Sequence, residues 1–193
     1  MKIKFVFVAV LIFGFSNLKS QQKKPDTNIP VIGQDAPRFY AESTAGTLSF
    51  PDDYGQNWKV IFSHPRDFTP VCTSEILQLA RMQEDFANLE TKLIVISTDF
   101  IQSHFQWKKE LESLRTERFE PVKIKFPLVA DDHFVIAKKY GMMHLNVSKT
   151  QTVRGVFYIT PDNKIAAFSF YPMNIGRNLE DIKSTLIALQ SAY

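Results

Sequence analysis

Short apolar runs rich in β-branched and aromatic residues recur along the chain and predict buried strands. Three of them are followed by helical patterns: WKVIFSH at 58–64, KLIVIST at 92–98 and FPLVA at 126–130. Two more, VRGVFYIT and KIAAFSFY, flank Pro161-Asp162-Asn163, whose residue types favour a tight turn. We therefore expect these last two runs to form an antiparallel hairpin.

Helical spacing is found between and after these strands. Apolar residues three and four apart predict a helix over 73–90, an amphipathic helix around Trp107 and Leu111, and a brief helix near 133–140. Asn178 is a favoured N-cap residue for a last helix. The resulting order, β-α-β-α-β-α-β-β-α, predicts an α/β domain with a mixed central sheet flanked by helices. A thioredoxin-like fold fits this order, and other α/β folds share it.

The first twenty residues differ from the rest. A basic start, MKIK, precedes the apolar run FVFVAVLIFGF and the polar exit SNLKS. This is the order of a secretory signal peptide, and the run is too short to span a bilayer. We expect a signal peptide at 1–20, a linker at 21–35 and one domain at 36–193, hence an exported, periplasmic or secreted protein. An uncleaved N-terminal anchor is the alternative interpretation.

Removal of this leader changes the charge of the chain. The sequence has 23 Lys and Arg and 20 Asp and Glu, and loss of Lys2, Lys4 and Lys19 leaves 20 of each sign. A neutral mature chain gives no reason to expect binding to nucleic acid or to an anionic membrane.

The chain contains a single cysteine, Cys72, within PRDFTPVCTSE. An intrachain disulfide and a CxxC exchange pair are therefore excluded, and an odd cysteine in an exported protein suggests a reactive thiol or intermolecular pairing. Thr69 is a good N-cap residue and Pro70 a favoured first helical residue, which places Cys72 in the first turn. The positive end of the helix dipole stabilises a thiolate there. On position alone, a buried structural cysteine remains equally open.

The pattern Pro65-x-x-x-Thr69-x-x-Cys72 resembles the active-site signature of the peroxiredoxins, the alkyl hydroperoxide reductase/thiol-specific antioxidant family. The wider stretch FSHPRDFTPVCTSE is most similar to the one-cysteine branch. The segments TVRGVFYITPDNKI and YPMNIGRNLEDI resemble those that carry the two arginines of the family site. The resemblance covers about residues 30 to 190 and implies a thioredoxin-like fold.

The resemblance also implies roles for four catalytic residues. Cys72 would attack the terminal oxygen of a peroxide as a thiolate, and Arg154 would favour that thiolate and donate to the peroxide oxygens. The hydroxyl of Thr69 would orient the peroxide, and Pro65 would shield the sulfur from water.

Three further residues are expected around these four. Glu75 and Arg177 would pair and hold Arg154, although ordinary surface charge is an equal alternative from the sequence. His64 matches the one-cysteine branch, and its alternative interpretation is a polar residue that ends a strand.

The remaining histidines, His104, His133 and His144, show no ligand spacing, so no metal site is assigned. No cofactor is expected either. The lipase motif Gly-x-Ser-x-Gly that some one-cysteine relatives carry is absent before Cys72, so phospholipase activity is not expected.

The expected activity is reduction of hydrogen peroxide and organic hydroperoxides through a Cys72 sulfenic acid, regenerated by an external thiol or a redox partner protein. We expect a homodimer without nucleic-acid or membrane partners once the leader is removed. The alternative is a non-enzymatic role, either as a peroxide sensor or as a holdase-type chaperone.

Overall fold

The computed structural model describes residues 29–115 and 120–193. The predicted signal peptide and residues 21–28 of the predicted linker lie outside the described residues. The last part of that linker, 29–35, runs beside the predicted hairpin around residues 161–163. There the Gly33 amide donates to the Ile165 carbonyl at 2.8 Å. No helix in the two described ranges is long and apolar enough to cross a membrane.

The described residues form one seven-stranded mixed sheet in the order β2-β1-β5-β4-β3-β6-β7. The two pairs that β4 makes, with β3 and β5, are parallel, and the other pairs are antiparallel. The strands are β1 (Phe39–Ser43), β2 (Gly46–Phe50), β3 (Trp58–Ser63), β4 (Thr91–Ser97), β5 (Leu128–Ala130), β6 (Arg154–Ile159) and β7 (Ile165–Tyr171).

Within residues 29–115 and 120–193, four α-helices and a short 3-10 helix (Asp52–Tyr54) accompany the sheet. The α-helices are α1 (Pro70–Asn88), α2 (Ile101–Ser113), α3 (Val135–Lys139) and α4 (Leu179–Ala192). All four helices predicted from the sequence are thereby confirmed, and α1 begins at Pro70, where Thr-Pro predicted a helix start.

Strand β3 shows why the predicted strands read as unbroken apolar runs. Successive side chains of a strand point to opposite faces, and both faces of this sheet are covered. Val60 and Phe62 belong to one buried cluster, to which α1, α2 and α4 contribute. Ile61 belongs to the other, which contains residues of α3, β1 and β2. The central positions of the strand, 60–62, are therefore all apolar.

The hairpin of β1 and β2 was not predicted. Its strands are short and mix polar with apolar residues, and only inward positions such as Phe39, Leu48 and Phe50 are buried. The rings of Phe39 and Phe50 stack with centroids 4.9 Å apart. This pair lies at the open end of the hairpin, and at the other end Gly46 follows the turn with a φ of 98°, a value that favours glycine.

Candidate active site

Cys72 is the third residue of α1 and is fully buried. Thr69 precedes the helix in an extended conformation, and Pro70 occupies its first position. Phe68 has a positive φ of 60°, which turns the chain into the helix. The sulfur therefore lies in the first helical turn, where the positive end of the dipole and the free amides favour an anion.

Thr69 does not cap the helix with its side chain, contrary to the expectation from its residue type. Its hydroxyl donates instead to the carbonyl oxygen of Arg66 at 3.0 Å. This local bond competes with capping, as is common for threonine beside turns. The hydroxyl oxygen keeps its capacity to accept a hydrogen bond from a ligand.

Arg154, the first residue of β6, reaches the sulfur of Cys72. Its Nη1 lies 3.3 Å from Sγ and 2.5 Å from Oε2 of Glu75. Its Nε and Nη2 donate to the carbonyl oxygen of Met173 at 3.0 and 2.7 Å. The guanidinium is 2% exposed, so its charge acts on the thiol with little screening by water.

Glu75 lies between two guanidinium groups. It accepts from the main-chain and side-chain nitrogens of Arg177 at 2.7, 2.9 and 3.0 Å, and from Arg154. Burial by itself would raise the pKa of Glu75, but the hydrogen bonds and charge of Arg177 and the charge of Arg154 outweigh burial and lower it. These three side chains carry one net positive charge, which a Cys72 thiolate would neutralise.

Gly155 allows the start of β6, which carries Arg154, to lie close to Ser63 and Phe170. A Cβ at Gly155 would lie 3.0 Å from the Ser63 hydroxyl oxygen and 3.2 Å from the Phe170 ring. The Gly155 amide donates to that hydroxyl at 2.7 Å, and the hydroxyl donates to the carbonyl of Val153. Ser63 thus fastens the start of β6 to the end of β3. Sequence reasoning missed these residues and Met173, whose contribution comes from its main chain.

A pocket of about 170 Å³ opens beside Arg154. Its lining is mostly apolar and includes two residues of the matched signature: Pro65, Arg66, Thr69, Pro70, Val71, Gln151, Arg154 and Met173. Two larger surface depressions, of about 510 and 400 Å³, share no residue with it. Thr69 and Arg154 both line this pocket.

A profile of the AhpC/TSA family matches residues 32–168. The chain belongs to this family. It is 46% identical over 163 residues to a peroxiredoxin of Methanosarcina mazei, covering 84% of this chain and 74% of the relative. It is 36% identical over 166 residues to the 1-Cys peroxiredoxin of Dictyostelium discoideum, covering 86% and 67%.

Solved peroxiredoxin structures share the fold. A mutant of peroxiredoxin 6 of Arenicola marina is 35% identical, with a TM-score of 0.74, over 83% of this chain and 73% of that one. A yeast mitochondrial 1-Cys peroxiredoxin, titled for its thiol resolving mechanism via glutathione/thioredoxin systems, is 35% identical with a TM-score of 0.75, covering 84% and 78%. The predicted thioredoxin-like fold and family are confirmed, and the protein is a thiol-dependent peroxidase, an oxidoreductase that acts on peroxides.

His64 follows β3 in this peroxiredoxin and is fully buried. Neither ring nitrogen has a hydrogen-bond partner, and the ring packs against Trp107 with centroids 5.1 Å apart. Burial, helped by the neighbouring His104 ring and by the charges of Arg177 and Arg154, holds the pKa of His64 well below its usual value. The ring is therefore neutral, and its 3.5 Å contact with Asp67 is not an ion pair.

Asp67 and His104 form a buried contact that the sequence did not reveal. His104 Nδ1 lies 2.9 and 3.1 Å from the two carboxylate oxygens of Asp67, although 37 positions separate the residues. His104 shows no ligand spacing along the sequence, but the fold brings it within reach of Asp67 and His64. His133 and His144 lie outside this group. The position of Asp67 inside the signature was the available signal.

Proposed function

We propose that Cys72 is the peroxidatic nucleophile of this peroxidase. The observation that carries the proposal is the 3.3 Å contact between Arg154 Nη1 and the sulfur, at the start of a helix and beside an open pocket. The thiolate attacks the terminal oxygen of the peroxide and the O–O bond breaks. The second oxygen leaves as water or an alcohol after taking up a proton, and Cys72 becomes a sulfenic acid.

Arg154 and Thr69 assist this displacement from the pocket wall. The guanidinium stabilises the thiolate and the negative charge that develops on the leaving oxygen. The Thr69 hydroxyl orients the peroxide for in-line attack, which lowers the entropic part of the barrier. Pro65 is buried at the pocket, where it keeps water from the sulfur and has no amide hydrogen to donate.

Glu75 and Arg177 act through Arg154 and are positioning residues. The carboxylate of Glu75 receives hydrogen bonds from both arginines, and Arg177 Nη1 also donates to the carbonyl of Gly155 at 2.8 Å. This arrangement fixes the Arg154 guanidinium in one orientation. Surface charge, the alternative considered from the sequence, does not describe groups that are 5% exposed.

Regeneration then requires a thiol from outside the chain, because Cys72 is the single cysteine. The external thiolate attacks the sulfenic sulfur, releases water and forms a mixed disulfide, which a second thiol reduces. Because Cys72 is fully buried, the loop at 65–69 must move for a thiol of any size to reach it. Small thiols and thioredoxin-like proteins are the reductant classes we propose, by analogy with the systems named for the yeast relative.

We also propose that the protein is exported and forms a homodimer. The leader pattern of residues 1–20 supports export.

Strand β7 supports dimerisation, because it lies at one edge of the sheet with its side chains from Ala166 to Tyr171 only half-buried. An unpaired edge of this kind can be covered by a second copy. Light scattering coupled to gel filtration measures the mass, for which twice 22.2 kDa less the leaders is expected.

Peroxide consumption with several reductants tests the proposed function. The purified protein should turn over many equivalents of hydrogen peroxide with glutathione or with a thioredoxin system, and Cys72→Ser should be inactive while keeping its fold. Consumption of a single equivalent with every reductant would favour the peroxide sensor. Activity of Cys72→Ser within tenfold of the unmodified protein would exclude Cys72 as the nucleophile.

A further inference from the structure

We propose that His64, Asp67 and His104 form a binding site for a divalent transition-metal ion of the zinc class. One ligand atom from each residue lies within 4.8 Å of the others, and all three side chains are buried. None of the three contacts the sulfur of Cys72 through a hydrogen bond, so the site is separate from the peroxide pocket.

The first argument is the hydrogen-bond pattern of His104. Its Nε2 lies 3.1 Å from the carbonyl oxygen of Val129, which can only accept, so the Nε2 proton is required there. This assignment of the tautomer leaves a lone pair on Nδ1 of the neutral ring. That lone pair faces the two oxygens of Asp67 at 2.9 and 3.1 Å. Two sets of lone pairs at this distance repel unless a positive charge lies between them.

The second argument is that a proton supplies only part of what the cluster requires. A proton on His104 Nδ1 would satisfy its contact with Asp67, but both nitrogens of fully buried His64 would still have no partner. Leaving a buried polar group unpaired destabilises the folded state. A metal ion that binds one nitrogen of His64 together with Asp67 and His104 gives that nitrogen the partner it lacks.

The spacing of the ligand atoms suits a small ion. Metal–nitrogen and metal–oxygen bonds of about 2.0–2.2 Å in tetrahedral geometry place neighbouring ligand atoms about 3.3 Å apart. The contacts of Asp67 with His64 Nε2 and with His104 Nδ1 are 3.5 and 2.9 Å. The ligand atoms of the two imidazoles lie within 4.8 Å of each other, so these rings must move closer together for one ion to bind all three residues.

The surroundings resemble the outer shell that supports metal ligands in proteins. The Val129 carbonyl orients His104, and the Ser103 hydroxyl donates to Asp67 Oδ2 at 2.7 Å. The Asp67 amide donates to Asp99, which holds the carboxylate-bearing loop in place. Two imidazoles and one carboxylate suit zinc and its neighbours rather than calcium or magnesium. Since Asp67 lies between Pro65 and Thr69, a bound ion would tie the active-site loop to α2.

Zinc titration of Cys72→Ser tests the site without interference from the thiolate. The protein competes for Zn²⁺ with a chromophoric chelator, and we expect one ion per chain. His64→Phe should weaken binding at least tenfold. This substitution removes a ligand yet breaks no side-chain hydrogen bond, and the new ring can pack against Trp107 as His64 does. His144→Phe is the matched control, since His144 packs against Phe170 outside the cluster, and it should bind as tightly as the parent.

A second measurement keeps the three ligands intact. Co²⁺ bound to Cys72→Ser should give the intense visible bands of a tetrahedral site with nitrogen and oxygen ligands and no thiolate charge-transfer band. Anomalous diffraction from zinc-soaked crystals of the same variant should place the ion among His64, Asp67 and His104. Absence of stoichiometric binding, an ion located elsewhere, or unchanged affinity in folded His64→Phe would overturn the proposal.

Discussion

Arg154 Nη1 lies 3.3 Å from the sulfur of Cys72 and 2.5 Å from Oε2 of Glu75, so one guanidinium nitrogen contacts both the thiol and a carboxylate. Glu75 fixes where this nitrogen points, and it also offsets one of the two positive charges beside the sulfur. The second positive charge, from Arg177, remains available to balance a thiolate. Orientation and charge of the site therefore depend on the same carboxylate.

Replacing Glu75 with glutamine should destabilise the protein by about 3–5 kcal/mol near neutral pH, because two buried guanidinium groups lose their counter-charge. The effect should depend on pH in a defined direction. The pKa of Glu75 is lowered below the ordinary glutamate value of 4.5 in the folded state, so its stabilising contribution is fully present above about pH 4.5. That contribution is lost as the pH falls through the lowered value.

Urea unfolding of the parent and Glu75→Gln at neutral and acidic pH measures this difference, which should shrink on acidification. Glu84→Gln is the matched control, because Glu84 pairs with Lys125 on the surface, where both side chains are more than half exposed. Its effect should stay below about 1 kcal/mol. A Glu75→Gln difference that is equally small, or independent of pH, would contradict the counter-charge role.

Arg154→Ala should slow sulfenic acid formation by about 10²–10³, the usual loss for a charged or oxyanion-hole donor in a transition state. It should also reduce thiolate absorbance near neutral pH, since the cation nearest the sulfur is removed. Stopped-flow measurement of peroxide reduction gives the rate. Arg115→Ala, which alters an exposed guanidinium paired with Glu120, should react like the parent protein. If Arg154→Ala reacts as fast as the parent protein, Arg154 does not assist sulfenic acid formation.

The parts of the site that the sequence predicted are those with a local signal. Thr69 and Pro70 predicted where α1 begins and hence where Cys72 lies, and the resemblance of two later segments singled out Arg154 and Arg177. The Met173 carbonyl could not be predicted, because a main-chain oxygen leaves no trace in residue type. Sequence spacing also concealed the buried contact of Asp67 with α2, which only the tertiary fold creates.

The Thr69 side chain shows a subtler limit. Residue type predicted a capping hydroxyl, whereas the hydroxyl donates to the Arg66 carbonyl and no side chain caps α1. Two local hydrogen bonds compete for the same group, and the choice depends on the turn before the helix. The β1–β2 hairpin was not predicted for a related reason. Its few inward residues give no clear pattern along the sequence, and their pairing is visible only in the folded structure, where Phe39 stacks on Phe50.

Thr69→Val should slow sulfenic acid formation by about two- to tenfold, which corresponds to the loss of one hydrogen bond of about 0.5–1.5 kcal/mol. Valine keeps the shape of threonine but cannot accept from or donate to a peroxide. Thr69→Ser retains the hydroxyl and should recover most of the rate. Thiolate absorbance should change less than in Arg154→Ala, because no charge is removed. Equal rates for Thr69→Val and Thr69→Ser would show that the hydroxyl does not orient the peroxide.

Export makes a separate prediction about the first residues. Expressed with its own leader in a secreting host, the chain should lose roughly twenty residues and leave the cytosol. N-terminal sequencing of the recovered protein identifies the cleavage site. The substitution Val8→Arg places a charge in the apolar run and should retain the chain inside the cell, whereas Gln22→Arg in the polar segment should not. A sequence that begins at Met1 would instead support the uncleaved anchor.

The oxidised state of Cys72 should be unusually persistent. A sulfenic acid is protected in many thiol enzymes by rapid disulfide formation, and this chain has no second thiol. After one equivalent of peroxide without reductant, a dimedone-type probe should trap Cys72 sulfenic acid, and excess peroxide should convert it to sulfinic acid. With a reductant present, the mixed disulfide should accumulate as the intermediate.

The competing product is a Cys72–Cys72 disulfide between two chains, and the complete burial of the sulfur should make its formation slow. Intact-mass spectrometry under non-reducing conditions separates the two, and rapid, near-complete conversion to the covalent dimer would contradict regeneration by an external thiol.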